Sequence, residues 1–129
     1  MKEPVWLEKT EVLLIHGRLL ALNGGGTGLR EAHLLDFALA KPKQLYHYGK
    51  NLGIVEMAAA YIIGIVKNNP FVDGNKRVGF VLGVMFLELN GYQFMASEED
   101  AAAVIVALAA GKLDEAGVTG FLRDNSSKV

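Results

Sequence analysis

Side chains that could do chemistry are concentrated in one stretch of the chain, Asn69 to Arg77 (NPFVDGNKR). Pro70 and Gly74 mark this stretch as a break between an amphipathic segment before it and an apolar segment after it. A helix that starts near Gly74 or Asn75 leaves its first N–H groups unpaired and its positive dipole end open. Because both features attract anions, the stretch is predicted to bind phosphate.

Charged residues accompany this predicted helix start. Lys76 and Arg77 fall in the first turn, which is the unfavourable end of a helix for cations unless an anion is bound. Arg77 suits a two-point contact with phosphate, Lys76 supplies a point charge, and Asp73 is a hard oxygen ligand for Mg²⁺. The pattern predicts a nucleotide triphosphate with its magnesium ion. The alternative is an ordinary turn, with Asp73 capping the helix and both cations in solvent.

The same stretch resembles the Fic-domain motif His-Pro-Phe-x-(Asp/Glu)-Gly-Asn-(Gly/Lys)-Arg at eight of nine positions. Lys76, where Fic adenylyltransferases usually have glycine, and the short helical chain are similar to the Doc (death on curing) toxins of the Fic/Doc superfamily. The segment 28–31 and the apolar pairs that follow it also look like the second-helix region of that family. The resemblance extends over most of the chain.

The resemblance implies a toxin of a bacterial toxin–antitoxin pair. Such a toxin transfers phosphate from ATP to a threonine hydroxyl of elongation factor Tu and halts translation, with ATP and Mg²⁺ as cofactors. Its implied partner is a Phd-like antitoxin whose C-terminal segment wraps the toxin. The resemblance also implies a role for each site residue. Asp73 would bind magnesium, Gly74 and Asn75 would shape the phosphate nest, and Lys76 and Arg77 would hold the phosphates. Phe71 would anchor the loop in the core.

Asn69 departs from the motif, because it stands where the family has its catalytic histidine. An amide cannot take a proton near neutral pH, and general-base catalysis contributes a factor of about 10²–10⁴. We therefore expect much slower transfer with nucleotide binding retained. Asn69 is interpreted either as a silencing substitution that lets a toxic protein be produced or as the mark of a natural pseudoenzyme. The similar size and polarity of the two side chains favour the first.

Two other functions stay open. One is protein adenylyl transfer (AMPylation), against which the long Lys76 side chain argues, because it should obstruct the triphosphate pose that glycine permits. The other is a catalytically dead module that binds nucleotide or antitoxin. Outside the motif, His16 and His33 are expected to be partly buried and hydrogen-bonded, His47 to lie in a surface loop, and the segment Gly24–Gly28 to be a flexible linker.

Apolar periodicity predicts an all-α fold, a single compact six-helix bundle of Fic/Doc type over residues 1–129, in which the motif loop leads into a central buried helix. Gly79 and Gly83 are expected to admit a neighbouring backbone. Thr10 is the expected N-cap of the first helix, and Ser97 with Asp100 should start the fifth. Pro42 should end the second helix and begin a surface loop to residue 53. The predicted helices cover Val12–Leu22, Glu31–Ala40, Ile54–Lys67, Asn75–Asn90, Glu98–Ala110 and Leu113–Arg123.

Composition excludes several kinds of site and several classes of protein. The 129 residues include no cysteine, which excludes a disulfide framework, thiolate-bound zinc and a cysteine nucleophile. With 13 Lys and Arg against 14 Asp and Glu, no general electrostatic affinity for nucleic acid or membrane is expected. The N-terminus lacks a secretory pattern and Val78–Leu87 is too short to span a bilayer, so a cytoplasmic protein is expected. An antitoxin groove is expected to expose an apolar strip of Trp6, Leu14, Val104, Leu108 and Phe121.

Overall fold

A computed structural model describes residues 2–49 and 52–129, which contain six α-helices and one short antiparallel pair of strands. The strands β1 (Tyr92–Phe94) and β2 (Ser126–Lys128) pair with Phe94 opposite Ser126. The predicted all-α fold is confirmed, and the strand pair is an addition to it. The helices are α1 (Lys9–Asn23), α2 (Ala32–Tyr48), α3 (Ile54–Asn68), α4 (Asn75–Leu89), α5 (Glu98–Ala109) and α6 (Glu115–Asp124).

Helices α3 and α4 form the centre of the core. Their inward side chains, among them Tyr61, Leu82 and Phe86, are fully buried. Gly79 and Gly83 let the two helices approach closely: a Cβ on Gly79 would lie 3.0 Å from a methyl group of Val66. The predicted central helix and its glycine contact are confirmed. The motif loop is the connection between the two helices at this centre.

The first helix begins earlier than the sequence suggested. Its N-cap is Glu8, whose backbone N–H donates to the Glu11 carboxylate at 2.9 Å. Thr10 therefore lies inside the first turn, and its prediction as the N-cap is wrong. In α5 the predicted cap is confirmed, because the Ser97 hydroxyl accepts from the Asp100 N–H at 3.1 Å.

The second helix continues through Pro42 and ends at Tyr48, so the predicted stop and the predicted surface loop are wrong for residues 42–48. A proline inside a helix costs about 3 kcal/mol or more, and burial offsets that cost here. Pro42 itself is buried, and in the next turn Tyr46 packs edge-on against Trp6 with ring centres 5.7 Å apart. Positions 50 and 51 of the predicted loop lie outside the described residues.

The predicted apolar strip is not formed by its five residues. Leu108 is 1% exposed and belongs to the core, and Trp6, Val104 and Phe121 are half-buried against it. Of the five, only Leu14 is exposed. The prediction of this strip was wrong because amphipathic spacing identifies an apolar helix face but not the element that packs against it.

The apolar segment Val78–Leu87 lies within α4, as a core helix. Among the described residues, no helix has both the length and the apolar character needed to cross a membrane.

Candidate functional site

The motif loop runs from the end of α3 to the start of α4 and contains two left-handed residues. Asn69, the C-cap of α3, has φ 49° and ψ 57°, and Gly74, the N-cap of α4, has φ 82° and ψ 11°. Asparagine and histidine are among the non-glycine residues enriched in this conformation, and glycine adopts it without steric cost. The loop geometry therefore restricts which residue types fit at positions 69 and 74.

Asn75 closes the loop from the inside. Its Oδ1 accepts from the Phe71 N–H at 3.0 Å, and its Nδ2 donates to the Phe71 carbonyl at 3.0 Å. Both functional groups of the amide are thus bonded to one residue of the loop backbone. The amide therefore ties the loop to the first turn of α4.

Phe71 anchors the loop in the core. Its side chain is 1% exposed and stacks on the His16 ring of α1, with centroids 3.8 Å apart and planes at 12°. His16 is itself buried, and its Nε2 lies 2.8 Å from the Asp73 carbonyl, to which an Nε2–H donates. The expectation of a buried, hydrogen-bonded histidine is confirmed for His16. Helix α1 therefore holds the loop at two points.

The carboxylate of Asp73 is held by backbone N–H groups. Its Oδ1 accepts from Gly74 N–H at 2.8 Å and its Oδ2 from Gly26 N–H at 3.4 Å. A Cβ on Gly25 would lie 2.8 Å from Oδ2, so the backbone of this segment approaches closely because it carries no side chain. The segment Gly24–Gly28 thus packs against the motif, and its prediction as a flexible linker is wrong.

Asp73 does not cap α4, since no side-chain cap is formed at Gly74. No group of three or more metal-ligating side chains occurs in residues 2–49 and 52–129. A lone carboxylate suits Mg²⁺, which usually keeps several waters and binds one or two carboxylates together with substrate phosphates. The residues present therefore fit a magnesium ion that arrives with a nucleotide.

The start of α4, Gly74 to Arg77, is here called the anion site. The first intrahelical bond runs from Val78 N–H to the Gly74 carbonyl, at 3.0 Å. Within the described part of the chain, no acceptor is bonded to the N–H groups of residues 75–77, and Lys76 and Arg77 are exposed without an ion pair. Unpaired amides, the positive end of the helix and two cations on one turn can bind a polyanion.

The segment before α2 holds the other end of the loop. Leu29 and Phe71 form an antiparallel bridge, and Val72 N–H donates to the Gly28 carbonyl at 3.0 Å. Arg30 donates from its Nε to the Asn69 carbonyl and from its Nη2 to the Asn68 carbonyl, each at 2.9 Å. Sequence reasoning treated this segment only as a family resemblance. Its contacts join residues about forty positions apart, and local spacing contains no signal for them.

The remaining histidines lie away from the motif contacts. His33 is exposed, with its Nε2 3.2 Å from the Glu31 carboxylate, so its expected burial is wrong. His47 lies on α2 between Tyr46 and Tyr48, not in a loop. A cavity of about 490 Å³ lies between α1 and the segment Gly24–Gly28 and is lined by Phe71, but not by the charged residues of the motif. In the anion site Lys76 and Arg77 are exposed, whereas Gly74 and Asn75 are half-buried.

Comparison with known proteins agrees with this geometry. The family model described as Fic/DOC family matches residues 6–87, which is more than half of the chain and includes the whole motif loop. The chain is also 35% identical over 74 residues to a protein named Toxin Doc from Mycolicibacterium smegmatis (strain ATCC 700084 / mc(2)155). That alignment covers 57% of this chain and 57% of the relative, so the chain matches little more than half of the relative's length. On the family match, the chain belongs to the Fic/DOC family.

Proposed function

We propose that this protein is the toxin of a bacterial toxin–antitoxin pair and transfers phosphate from ATP to a threonine hydroxyl of elongation factor Tu. The observation that carries the proposal is the anion site, where the N–H groups of residues 75–77 and the cations Lys76 and Arg77 have no partner among residues 2–49 and 52–129. Family membership and the similarity to a protein named Toxin Doc support it. Both partners, elongation factor Tu and a Phd-like antitoxin, follow from the resemblance, as does the cytoplasm as the place where they meet.

In this proposal the chain's own residues bind and orient the nucleotide. The N–H groups of the anion site and the Arg77 guanidinium hold phosphate oxygens, and the Lys76 ammonium adds a point charge. Asp73 holds Mg²⁺, which when bound would neutralise charge on the phosphates. Phe71 and Asn75 act indirectly, because they keep the loop in shape. Phosphoryl transfer needs mainly such positioning and charge stabilisation.

Asn69 sets the limit on activity. Its side chain is exposed and forms no hydrogen bond with the described residues, but an amide cannot remove a proton from an attacking hydroxyl. We therefore propose a protein that binds nucleotide and transfers phosphate slowly. The left-handed conformation at position 69 also suits histidine, so the loop does not have to rearrange to accept one.

Titration calorimetry with ATP and Mg²⁺ tests the binding step. We expect saturable binding to the chain with Asn69 that weakens when Mg²⁺ is omitted, and weaker binding by Arg77→Gln. The control is Arg18→Gln, which removes an exposed arginine from α1. No magnesium-dependent binding of any adenine or guanine nucleotide would contradict the proposal.

The position of the label identifies the reaction. With Asn69→His, γ-labelled ATP is expected to label elongation factor Tu and α-labelled ATP is not. Label from the α-phosphate would identify an adenylyltransferase. Binding of ATP without transfer by Asn69→His would identify a nucleotide-binding module. Growth arrest by Asn69→His, relieved when the neighbouring antitoxin gene is co-expressed, tests the partner.

A further inference from the structure

One residue from outside the motif bonds three consecutive carbonyl groups at the end of α3. The Arg30 side chain donates to Asn68 and Asn69, both at 2.9 Å, and the Arg30 backbone N–H donates to the Pro70 carbonyl at 2.7 Å. A weaker fourth contact joins Arg30 to the Glu31 carboxylate at 3.8 Å. The three carbonyls belong to residue 69 and to its two neighbours in the chain.

These contacts address a general problem of helix ends. The last carbonyls of an α-helix have no partner within the helix, and that end carries partial negative charge. A guanidinium matches both conditions, since it is a cation whose N–H groups reach two acceptors at fixed spacing. Arg30 thus caps α3 from a separate element, exactly where the chain turns left-handed at Asn69.

We propose that Arg30 is the positioning residue for the side chain at position 69: it fixes the left-handed turn and so sets the direction in which that side chain leaves the backbone. The consequence for catalysis rests on the function proposed above. Arg30 need not touch nucleotide, because it acts through the backbone of residues 68–70.

The other half of the loop is held by contacts that do not use the Arg30 side chain. Asn75 bonds Phe71, and His16 contacts both Phe71 and Asp73, without involving Arg30. Loss of the Arg30 side chain should therefore disturb the direction of side chain 69 and leave the anion site in place. The expected signature is slower transfer with unchanged nucleotide affinity.

The test compares Arg30→Met and Arg30→Lys in the full chain carrying Asn69→His. Arg123→Met is the matched control, since Arg123 is similarly exposed and also bonds an acceptor on α3, the Glu56 carboxylate at 2.6 Å. Transfer of γ-label to elongation factor Tu gives kcat and KM, calorimetry gives the affinity for ATP with Mg²⁺, and NMR titration gives the pKa of the introduced imidazole.

We expect Arg30→Met to lower kcat about 10- to 100-fold, the scale of a small misplacement of a catalytic group. KM and Kd for ATP should stay within about threefold, because the binding half of the loop is unchanged. The pKa of the introduced imidazole should rise when the nearby cation is removed. Arg30→Lys keeps the charge without the two-point geometry, so it should restore that pKa and only part of the rate.

An equal kcat of Arg30→Met and Arg123→Met would overturn the proposal, and an equal imidazole pKa in the two variants would overturn it as well. If Arg30→Met does not fold, Arg30→Lys decides: a kcat equal to that of Arg123→Met would overturn it. If no variant binds ATP or transfers label, the proposed function fails instead. The pKa of the introduced imidazole then tests the role of Arg30, because its measurement requires neither nucleotide nor the protein that accepts the phosphate.

Discussion

The two ends of the motif loop are supported by different residues, and they differ in how well they match the family motif. At the α4 end, Asp73 and the anion site retain the residue types of the family motif, and α1 with the segment Gly24–Gly28 supports them. At the α3 end, Arg30 supports the turn, and Asn69 replaces the motif histidine. Because different side chains hold the two ends, we expect the proposed nucleotide binding and proton transfer to change independently when one of those side chains is altered.

The largest effect is expected at the α3 end. Asn69→His should raise the rate of phosphate transfer by about 10²–10⁴, the usual contribution of a general base. The affinity for ATP should hardly change, because position 69 lies outside the anion site. Transfer of γ-label, measured beside calorimetry on the same preparations, checks both statements.

Asn69→Gln is the control for that prediction, since it changes size without adding a base. A comparable gain in rate from Asn69→Gln would show that side-chain length at position 69, not proton transfer, limits the reaction. A large change in ATP affinity with Asn69→His would show that the two ends of the loop are coupled.

The next largest effect is expected at the α4 end. Arg77→Gln removes a cation from a turn whose N–H groups have no acceptor in the described part of the chain. A charge-assisted hydrogen bond is worth roughly 1.5–3 kcal/mol. The affinity for ATP should fall about 10- to 100-fold on that basis. Calorimetry at low and high salt measures it, and the loss should shrink as salt screens the charge.

In the background of Asn69→His, Arg77→Gln should raise KM for ATP in step with Kd. An arginine that contacted only the transferred group would lower kcat and leave Kd alone. That result would assign Arg77 to catalysis instead of binding. It would contradict the assignment of nucleotide binding to the α4 end and proton transfer to the α3 end.

The support beneath Asp73 gives a smaller effect. Gly25→Ala places a Cβ 2.8 Å from the Asp73 carboxylate, in a backbone of φ 127° that side chains rarely adopt. Such strain costs of order 1–3 kcal/mol, so urea denaturation should show a loss of that size. The displaced carboxylate should also raise the Mg²⁺ concentration needed for ATP binding.

Gly28→Ala separates backbone strain from collision. Gly28 has φ 91°, but a Cβ there would meet no atom within 4 Å. It should lower stability and leave the Mg²⁺ requirement unchanged. If both variants raise the Mg²⁺ concentration needed for ATP binding equally, the effect of Gly25→Ala does not come from displacement of the Asp73 carboxylate.

Local sequence patterns predicted the parts of this site that depend on local geometry. Gly74 and the cations after it identify a helix start, and the periodicity of α3 and α4 identifies the buried pair on either side. The supports were missed because they come from distant elements. Nothing near Arg30 in the sequence indicates the carbonyls that it bonds, and His16 pairs with a loop 57 positions away.

Pro42 was misread for a related reason. A proline inside a helix does destabilise that helix locally. The packing that offsets this cost depends on Trp6, which is remote in sequence. Propensity describes what a segment does alone, whereas tertiary burial decides what it does in the fold.

A position remote from both ends should change stability without changing function. Tyr61 is fully buried in α3, and its hydroxyl oxygen accepts from the Leu7 N–H at 3.2 Å. Burial raises the pKa of Tyr61 from its ordinary value of 10.0 to about 12; the hydrogen bond from Leu7 opposes this rise, and nearby Glu8 and Glu11 add to it. Tyr61→Phe leaves the Leu7 N–H unpaired, which should cost about 1–3 kcal/mol near neutral pH.

The sign of the pH dependence follows from the raised pKa. Between pH 10 and about 12 the unfolded chain loses the Tyr61 proton while the folded chain keeps it. The stability that Tyr61 contributes is therefore fully present below pH 10 and is lost as the pH rises, by up to about 1.4 kcal/mol per pH unit. Urea denaturation of wild type and Tyr61→Phe should give a difference that shrinks across this window. Tyr48→Phe, which alters an exposed side chain, should give no such trend, and a constant difference for Tyr61→Phe would contradict the burial argument.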